Sequence, residues 1–162
     1  MFTHIPLWVF AVLAVLVVLG YLQSRTRQVN PAVLRFVALG FLCYSLWGVV
    51  GSFGPGWLSL APWFIGLAAA VLGTRTSFWA QGMSLVSDSR RVLVPGSWLP
   101  LGLMLGIFGV KFALGLAAGA GAPITSGSPA AAASALALGL LSGLFAARAR
   151  AVVSVAKQAR AA

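Results

Sequence analysis

Five long apolar stretches alternate with short polar connections along this chain. They lie at about 5–22, 32–50, 57–72, 99–119 and 130–147. Most are close to the roughly 20 residues that an α-helix needs to cross about 30 Å of hydrocarbon, while the third is short and contains Pro62. The pattern predicts an all-α membrane protein with five transmembrane helices, built as a single integral membrane domain over residues 1–162.

The basic residues follow the first, third and fifth apolar stretches, whereas the connections after the second and fourth carry no charge. Lys and Arg near helix ends are retained on the cytoplasmic side of a membrane. We therefore predict an N-terminus outside, a C-terminus in the cytoplasm and a multi-pass location in the bacterial inner (plasma) membrane. The residues expected to contact lipid headgroups are Arg25, Arg27, Arg75, Arg90, Arg91, Arg148, Arg150 and Lys157.

Composition supports the membrane class. Hydrophobic residues make up 60% of the chain and charged residues 7%, against about 25% charged in a typical soluble domain. The formal net charge is +10, and Asp88 is the only acid. Because the basic residues flank apolar stretches and form no solvated patch, nucleic-acid binding is not predicted. The expected partner is a bilayer with anionic headgroups, worth about 1 kcal/mol per basic residue near its surface.

The segment between the third and fourth stretches contains two short β-prone runs, 83–86 and 91–94, on either side of the polar residues 87–90. Two such runs around a polar turn predict a short cytoplasmic β-hairpin between helices 3 and 4. An irregular loop is the alternative.

Glycines recur four residues apart at 102 and 106, 115 and 119, and 139 and 143. This spacing lets helix backbones approach closely inside a membrane. We expect it to serve packing between the fourth and fifth helices, with a dimer face as the alternative.

Lys111 is the one basic residue that departs from the charge pattern. It lies twelve residues into the fourth stretch, roughly 18 Å from the start of that helix. A Lys at such depth costs about 2.5 kcal/mol or more on insertion scales and is a functional hypothesis by default. The alternative is a side chain that snorkels to the outer headgroups.

Similar depth arithmetic brings aromatic residues to the level of Lys111. Tyr44 and Trp47 in the second stretch and Trp63 in the third reach about the same depth. One cation, one hydroxyl and aromatic walls would form a small ligand-binding pocket of Lys111, Tyr44, Trp47 and Trp63. Ordinary aromatic packing is the alternative.

Residues suited to catalysis or metal binding are scarce. The chain has one His, one Cys and one acid, namely His4, Cys43 and Asp88, far apart in the sequence. A metal site needs several such ligands together, and acid–base catalysis needs a carboxylate or His within reach of the substrate. We predict no metal, no cofactor and no catalytic residue.

Three segments carry a resemblance to a known family: residues 3–9 (THIPLWV), 91–101 (RVLVPGSWLPL) and 107–112 (IFGVKF). The chain resembles, over nearly its whole length, a family of small proteobacterial multi-span inner-membrane proteins of unknown function. Its members share the PGSWLPL entry into a span and an aromatic-flanked Lys further along it. The resemblance implies a multi-span membrane fold and no known activity.

Two hypotheses of function follow. The first is a protein that binds or permeates a small anionic or amphipathic solute through a pocket around Lys111. The second is a non-catalytic accessory or scaffold subunit, in which Lys111 pairs with an acid of a membrane partner or of another copy in a homo-oligomer. A membrane enzyme ranks third.

Overall fold

The structure is a computed structural model that describes residues 7–74, 79–86, 91–121 and 127–161. Within these ranges the chain is predominantly helical, and the predicted helices are present. They are α1 Leu7–Gln23, α2 Pro31–Phe53, α3 Trp57–Gly73, α4 Leu99–Gly119 and α5 Pro129–Ala161. Three short strands complete the described fold: β1 Arg27–Val29, β2 Ser84–Leu85 and β3 Val92–Val94.

Three of these helices are long and apolar enough to cross a membrane. They are α2 with 23 residues, α4 with 21 residues, and the Pro129–Gln158 part of α5 with 30 residues. The helices α1 and α3 are also apolar but have 17 residues each. Apolar helices therefore occur at all five predicted stretches. Three of these helices are long enough to cross a membrane.

The strands form one antiparallel sheet in the order β1-β3-β2. In the pairing of β1 with β3, Arg27 lies opposite Val94. In the pairing of β2 with β3, Ser84 lies opposite Leu93. The predicted hairpin is therefore confirmed in its two strands, β2 and β3, while its turn at 87–90 lies outside the described residues. The sequence did not predict β1, which adds a third strand from the connection between α1 and α2.

The PGSW segment joins the end of α1 to the start of α4. The backbone N–H of Ser97 donates to the Gln23 carbonyl at 3.1 Å, and the Ser97 hydroxyl accepts from the N–H of Leu99 at 3.2 Å. Residue 96 must be Gly, because a Cβ there would overlap the Ser24 carbonyl oxygen. The motif is thus a junction between two helices that are far apart in the sequence.

The closest helix pair is α3 with α5, and glycine makes it possible. A Cβ at Gly66 would overlap the Leu136 carbonyl oxygen, and a Cβ at Gly139 would overlap the Trp63 carbonyl oxygen. Gly143 likewise lies against Leu67. The glycines of the fifth stretch therefore pack against α3, whereas Gly106 of the fourth stretch lies against Leu141 of α5, as expected from the spacing.

A buried polar cluster links α2, α3 and α5 inside the apolar core. Trp63 Nε1 donates to Ser45 Oγ at 2.9 Å, and Ser45 Oγ donates to the Leu138 carbonyl at 3.1 Å. Ser142 Oγ also donates to the Leu138 carbonyl, at 2.6 Å. Because buried polar groups need hydrogen-bond partners, these bonds fix the relative rotation of the three helices.

The last turns of α5 extend beyond the predicted fifth span and meet the sheet. Val152 and Ala156 form a buried cluster with Val92 and Val94 of β3. One helix therefore packs against α3 along its first half and against the sheet along its second.

Candidate functional site

Lys111 lies in a cleft between α2 and α4. Its ammonium is 4.1 Å from the centroid of the Tyr44 ring, a distance at which a cation interacts favourably with an aromatic face. The cleft has a volume of about 440 Å³, within the range of small-molecule sites. Its lining residues are Trp47, Gly48, Gly51, Ser52, Phe53, Lys111, Leu114, Gly115 and Ala118.

Gly48 makes room for the ammonium group. A Cβ at this position would overlap Nζ of Lys111. Tyr44 and Gly48 are four residues apart on α2, so they lie on the same face of the helix. Sequence reasoning missed Gly48, although its spacing from Tyr44 is a signal that could have identified it.

The cleft contains a cation without an anionic counterpart in the described part of the chain. Asp88 is the only acid in the sequence, and it lies outside the described residues. The Tyr44 ring is therefore the only charge-stabilising contact that the described residues give to the Lys111 ammonium. Such a cleft presents positive charge on apolar and aromatic walls.

The other two predicted pocket residues lie in different places. Trp47 lines the cleft and is 72% exposed. Trp63 is not among the residues that line it. It is 3% exposed and belongs to the core with Val49 and Ile107. The structure thus brings together Lys111, Tyr44 and Trp47, and places Trp63 in the buried polar cluster.

The six predicted headgroup-contact residues that the structure describes fall into three groups. Arg25 and Arg150 each donate a hydrogen bond, to Tyr21 Oη at 3.1 Å and to the Val71 carbonyl at 2.8 Å respectively. Arg27 and Arg148 line a second, smaller cavity. Arg91 and Lys157 are exposed, whereas Arg75 and Arg90 lie outside the described residues.

Potential metal ligands do not cluster in the part of the chain that the structure describes, where no three His, Cys, Asp or Glu side chains come together. Cys43 is exposed on α2. The chemistry available at the Lys111 cleft is accordingly that of a cation beside apolar and aromatic walls, and Tyr44 contacts the ammonium without lining the cleft.

Comparison with known proteins agrees with the resemblance seen in the sequence. A segment of 53 residues is 40% identical to an uncharacterized protein of Pasteurella multocida, and it covers 33% of this chain and 41% of that protein. No solved structure matches the chain significantly. All 162 residues match the family of unknown function DUF6622, so the resemblance to a family of unknown function is confirmed. The chain belongs to DUF6622.

Proposed function

We propose that this protein is a multi-pass protein of the bacterial inner membrane that binds a small anionic or amphipathic solute in the Lys111 cleft. The observation that carries the proposal is an ammonium group 4.1 Å from the Tyr44 ring centroid in a cleft of about 440 Å³. No acid is present in the described residues around it.

The membrane location rests on the helices and on their surfaces. Large apolar side chains point outward along the bundle, with Phe36 at 75%, Leu72 at 82% and Trp57 at 75% exposure. Soluble proteins rarely expose apolar patches on this scale, whereas lipid tails solvate them. The positions of the basic residues favour an N-terminus outside.

Energetics favour an anion in the cleft. A Lys in the middle of a membrane helix costs about 2.5–3.5 kcal/mol, and one cation–π contact returns about 0.5–2 kcal/mol. The Tyr44 contact therefore offsets only part of the cost. A negatively charged solute beside Nζ offsets the rest of the cost of burying the ammonium. The apolar walls of the cleft accept the hydrocarbon part of that solute.

The direction of the Lys111 side chain argues against simple snorkelling. A snorkelling ammonium would reach toward the C-terminal end of α2 at Phe53. Instead it lies over the Tyr44 ring, more than two turns before that end. The ammonium therefore stays at the level of Tyr44 on α2, where a bound solute meets it.

Replacing Lys111 with Met tests the proposal. Lys157→Met is the matched control, because it removes the only other Lys of the chain, an exposed one on α5. Thermal stability in detergent is measured with octanoate, an amphipathic anion, and with 1-octanol as its uncharged counterpart. We expect octanoate to stabilise the wild type and K157M but not K111M.

Two results would count against solute binding. An octanoate shift that K111M retains removes Lys111 from the site. A K111M protein that is more stable, with no ligand response in any form, supports snorkelling instead. The accessory-subunit alternative is tested in the same membranes by mild cross-linking, because it requires K111M to lose co-purifying chains that K157M retains.

A further inference from the structure

A second cavity lies where the end of α1, the sheet and α5 meet. Gln23 at the end of α1, Arg27 of β1 and Arg148 of α5 all line it. Pro100 and Phe145 are among its apolar neighbours. Its enclosed volume is about 20 Å³, which is room for roughly one water molecule or one oxygen atom of a larger group.

Two like charges line this cavity together. Arg27 lies close enough to Arg148 to repel it electrostatically, and burial lowers the pKa of the Arg27 guanidinium below its ordinary value. Neither side chain forms a hydrogen bond or an ion pair with any residue that the structure describes. The cavity therefore concentrates positive charge without a protein counter-charge in the described chain.

The neighbouring arginines show that this arrangement is particular to the cavity. Arg25, two residues before Arg27, donates to Tyr21 Oη and stacks on the same ring at 5.5 Å. Arg150, two residues after Arg148, donates to the Val71 carbonyl. Each cavity arginine thus has a close neighbour whose guanidinium already has a partner.

The walls of the cavity strengthen its attraction for an anion. Val29, Leu34 and Val94 line it together with Phe145, and charge–charge interactions are stronger beside apolar walls than in water. Arg guanidinium groups match the geometry of phosphate-type oxyanions through paired N–H donors. One N–H of the Gln23 side-chain amide donates to Met104 Sδ in a weak contact at 3.9 Å. The second N–H can therefore donate to an anion in the cavity.

We propose that Arg27, Arg148 and Gln23 form a binding site for one phosphate-type oxyanion at the junction of α1, the sheet and α5. One oxygen of the anion enters the enclosed space, and the others lie between the two guanidinium groups at its opening. Two sources offer this chemistry: the phosphate of an anionic lipid headgroup and free phosphate. The proposal involves none of the residues of the Lys111 cleft and does not depend on the function proposed for them.

The first experiment measures binding of inorganic phosphate to delipidated protein in detergent, with chloride at equal ionic strength as the reference. We expect phosphate at about 100 times its Kd to raise the Tm of the wild type by about 5–10 °C. Arg27→Gln and Arg148→Gln should lose this rise, whereas the matched controls Arg25→Gln and Arg150→Gln should keep it. Lys111→Met should also keep it, which separates this proposal from the proposed function.

The readout is the phosphate-dependent rise, so a change in basal stability does not obscure it. In chloride alone, R148Q should be at least as stable as the wild type, because the substitution removes a like-charge repulsion. If R148Q fails to fold, Arg148→Lys keeps the charge but loses the paired donors, and its phosphate rise should be less than half that of the wild type. Equal phosphate rises in R148Q, R27Q and the two controls would overturn the proposal.

A second experiment identifies the source of the anion. The protein is placed in vesicles of phosphatidylcholine alone or with 30% phosphatidylglycerol, with and without inorganic phosphate. A lipid ligand predicts a Tm rise with phosphatidylglycerol that R148Q loses and R150Q keeps, with little further effect of phosphate. If the ligand is free phosphate, inorganic phosphate should raise the Tm in both kinds of vesicle, and R148Q should lose this rise while R150Q keeps it. No difference between R148Q and R150Q under any of these conditions would refute the site.

Discussion

Replacing Ser45 with Ala tests whether the buried polar cluster holds α2, α3 and α5 together. Ser45 Oγ is the acceptor for Trp63 Nε1, which lies 2.9 Å away in a side chain that is only 3% exposed. The Leu138 carbonyl also loses a donor, but it retains Ser142 Oγ. The substitution therefore leaves one buried N–H, that of Trp63, without its acceptor.

The expected loss follows from that one group. Leaving a buried donor unsatisfied costs about 1–3 kcal/mol, and hydrogen bonds between membrane helices reach at most about 1.7 kcal/mol in double-mutant cycles. The two ranges overlap at about 1–1.7 kcal/mol. We expect Ser45→Ala to lower the free energy of unfolding by about this amount, measured by titration with sodium dodecyl sulfate.

A Trp63→Phe background isolates the hydrogen bond from the packing change. Without the indole N–H, Ser45→Ala should cost less than about 0.5 kcal/mol, which gives a coupling energy near 1 kcal/mol. Ser154→Ala is the control, because among the residues that the structure describes that hydroxyl bonds only to the Ala151 carbonyl of its own helix. An equal cost of Ser45→Ala in both backgrounds, or a cost no larger than that of Ser154→Ala, would refute the reasoning.

Two glycine substitutions make further predictions. Gly48→Ala places a methyl group against the flexible end of Lys111. Because this displaces the ammonium from the Tyr44 ring, we expect a loss of stability of about 0.5–2 kcal/mol, the value of one cation–π contact, and a smaller octanoate-dependent rise in Tm. Gly102→Ala on α4, which meets nothing within 4 Å and does not line the cleft, should leave that rise unchanged. Gly66→Ala forces a Cβ against the backbone of α5 and should destabilise the protein by about 1–3 kcal/mol in detergent titration, whereas Gly40→Ala, with open space around it, should stabilise it by about 0.5–1 kcal/mol. Equal effects within either pair would contradict the packing described here.

The helices were predictable because each is a long apolar run with clear ends. The second predicted stretch, 32–50, corresponds to the helix Pro31–Phe53. Asn30 caps this helix, because its side-chain oxygen accepts a hydrogen bond from the N–H of Ala32 at 3.0 Å. The fourth stretch, 99–119, coincides with α4. Hydropathy and capping signals are local, so the sequence displays them directly.

The third strand was not predictable in the same way. Its residues Arg27–Val29 form a short polar segment whose pattern does not differ from a loop. What makes it a strand is pairing with Val92–Val94, and no local signal reveals a partner that distant. The Arg27–Arg148 cavity depends on this pairing, so sequence reasoning could describe its arginines only as general headgroup contacts.

Depth along a helix was predictable, but direction around it was not. The rise per residue placed Tyr44 at the level of Lys111, and the structure has the two side chains in contact. Trp63 was assigned to the same level, yet it faces Ser45 in the core. The side of a helix that faces a neighbour depends on packing, here on the approach of α3 and α5 at Gly66 and Gly139.

The order of the strands has a consequence for how the protein is made. The central strand β3 is synthesised after both of its neighbours, and it follows β1 by about 60 residues, or roughly 3–12 s of translation. Throughout that interval β1 has no ladder partner, while α2 and α3 emerge from the ribosome. A strand of three residues that carries Arg27 is a poor template for pairing with other chains. Its brevity and charge thus protect the nascent chain from aggregation until β3 arrives.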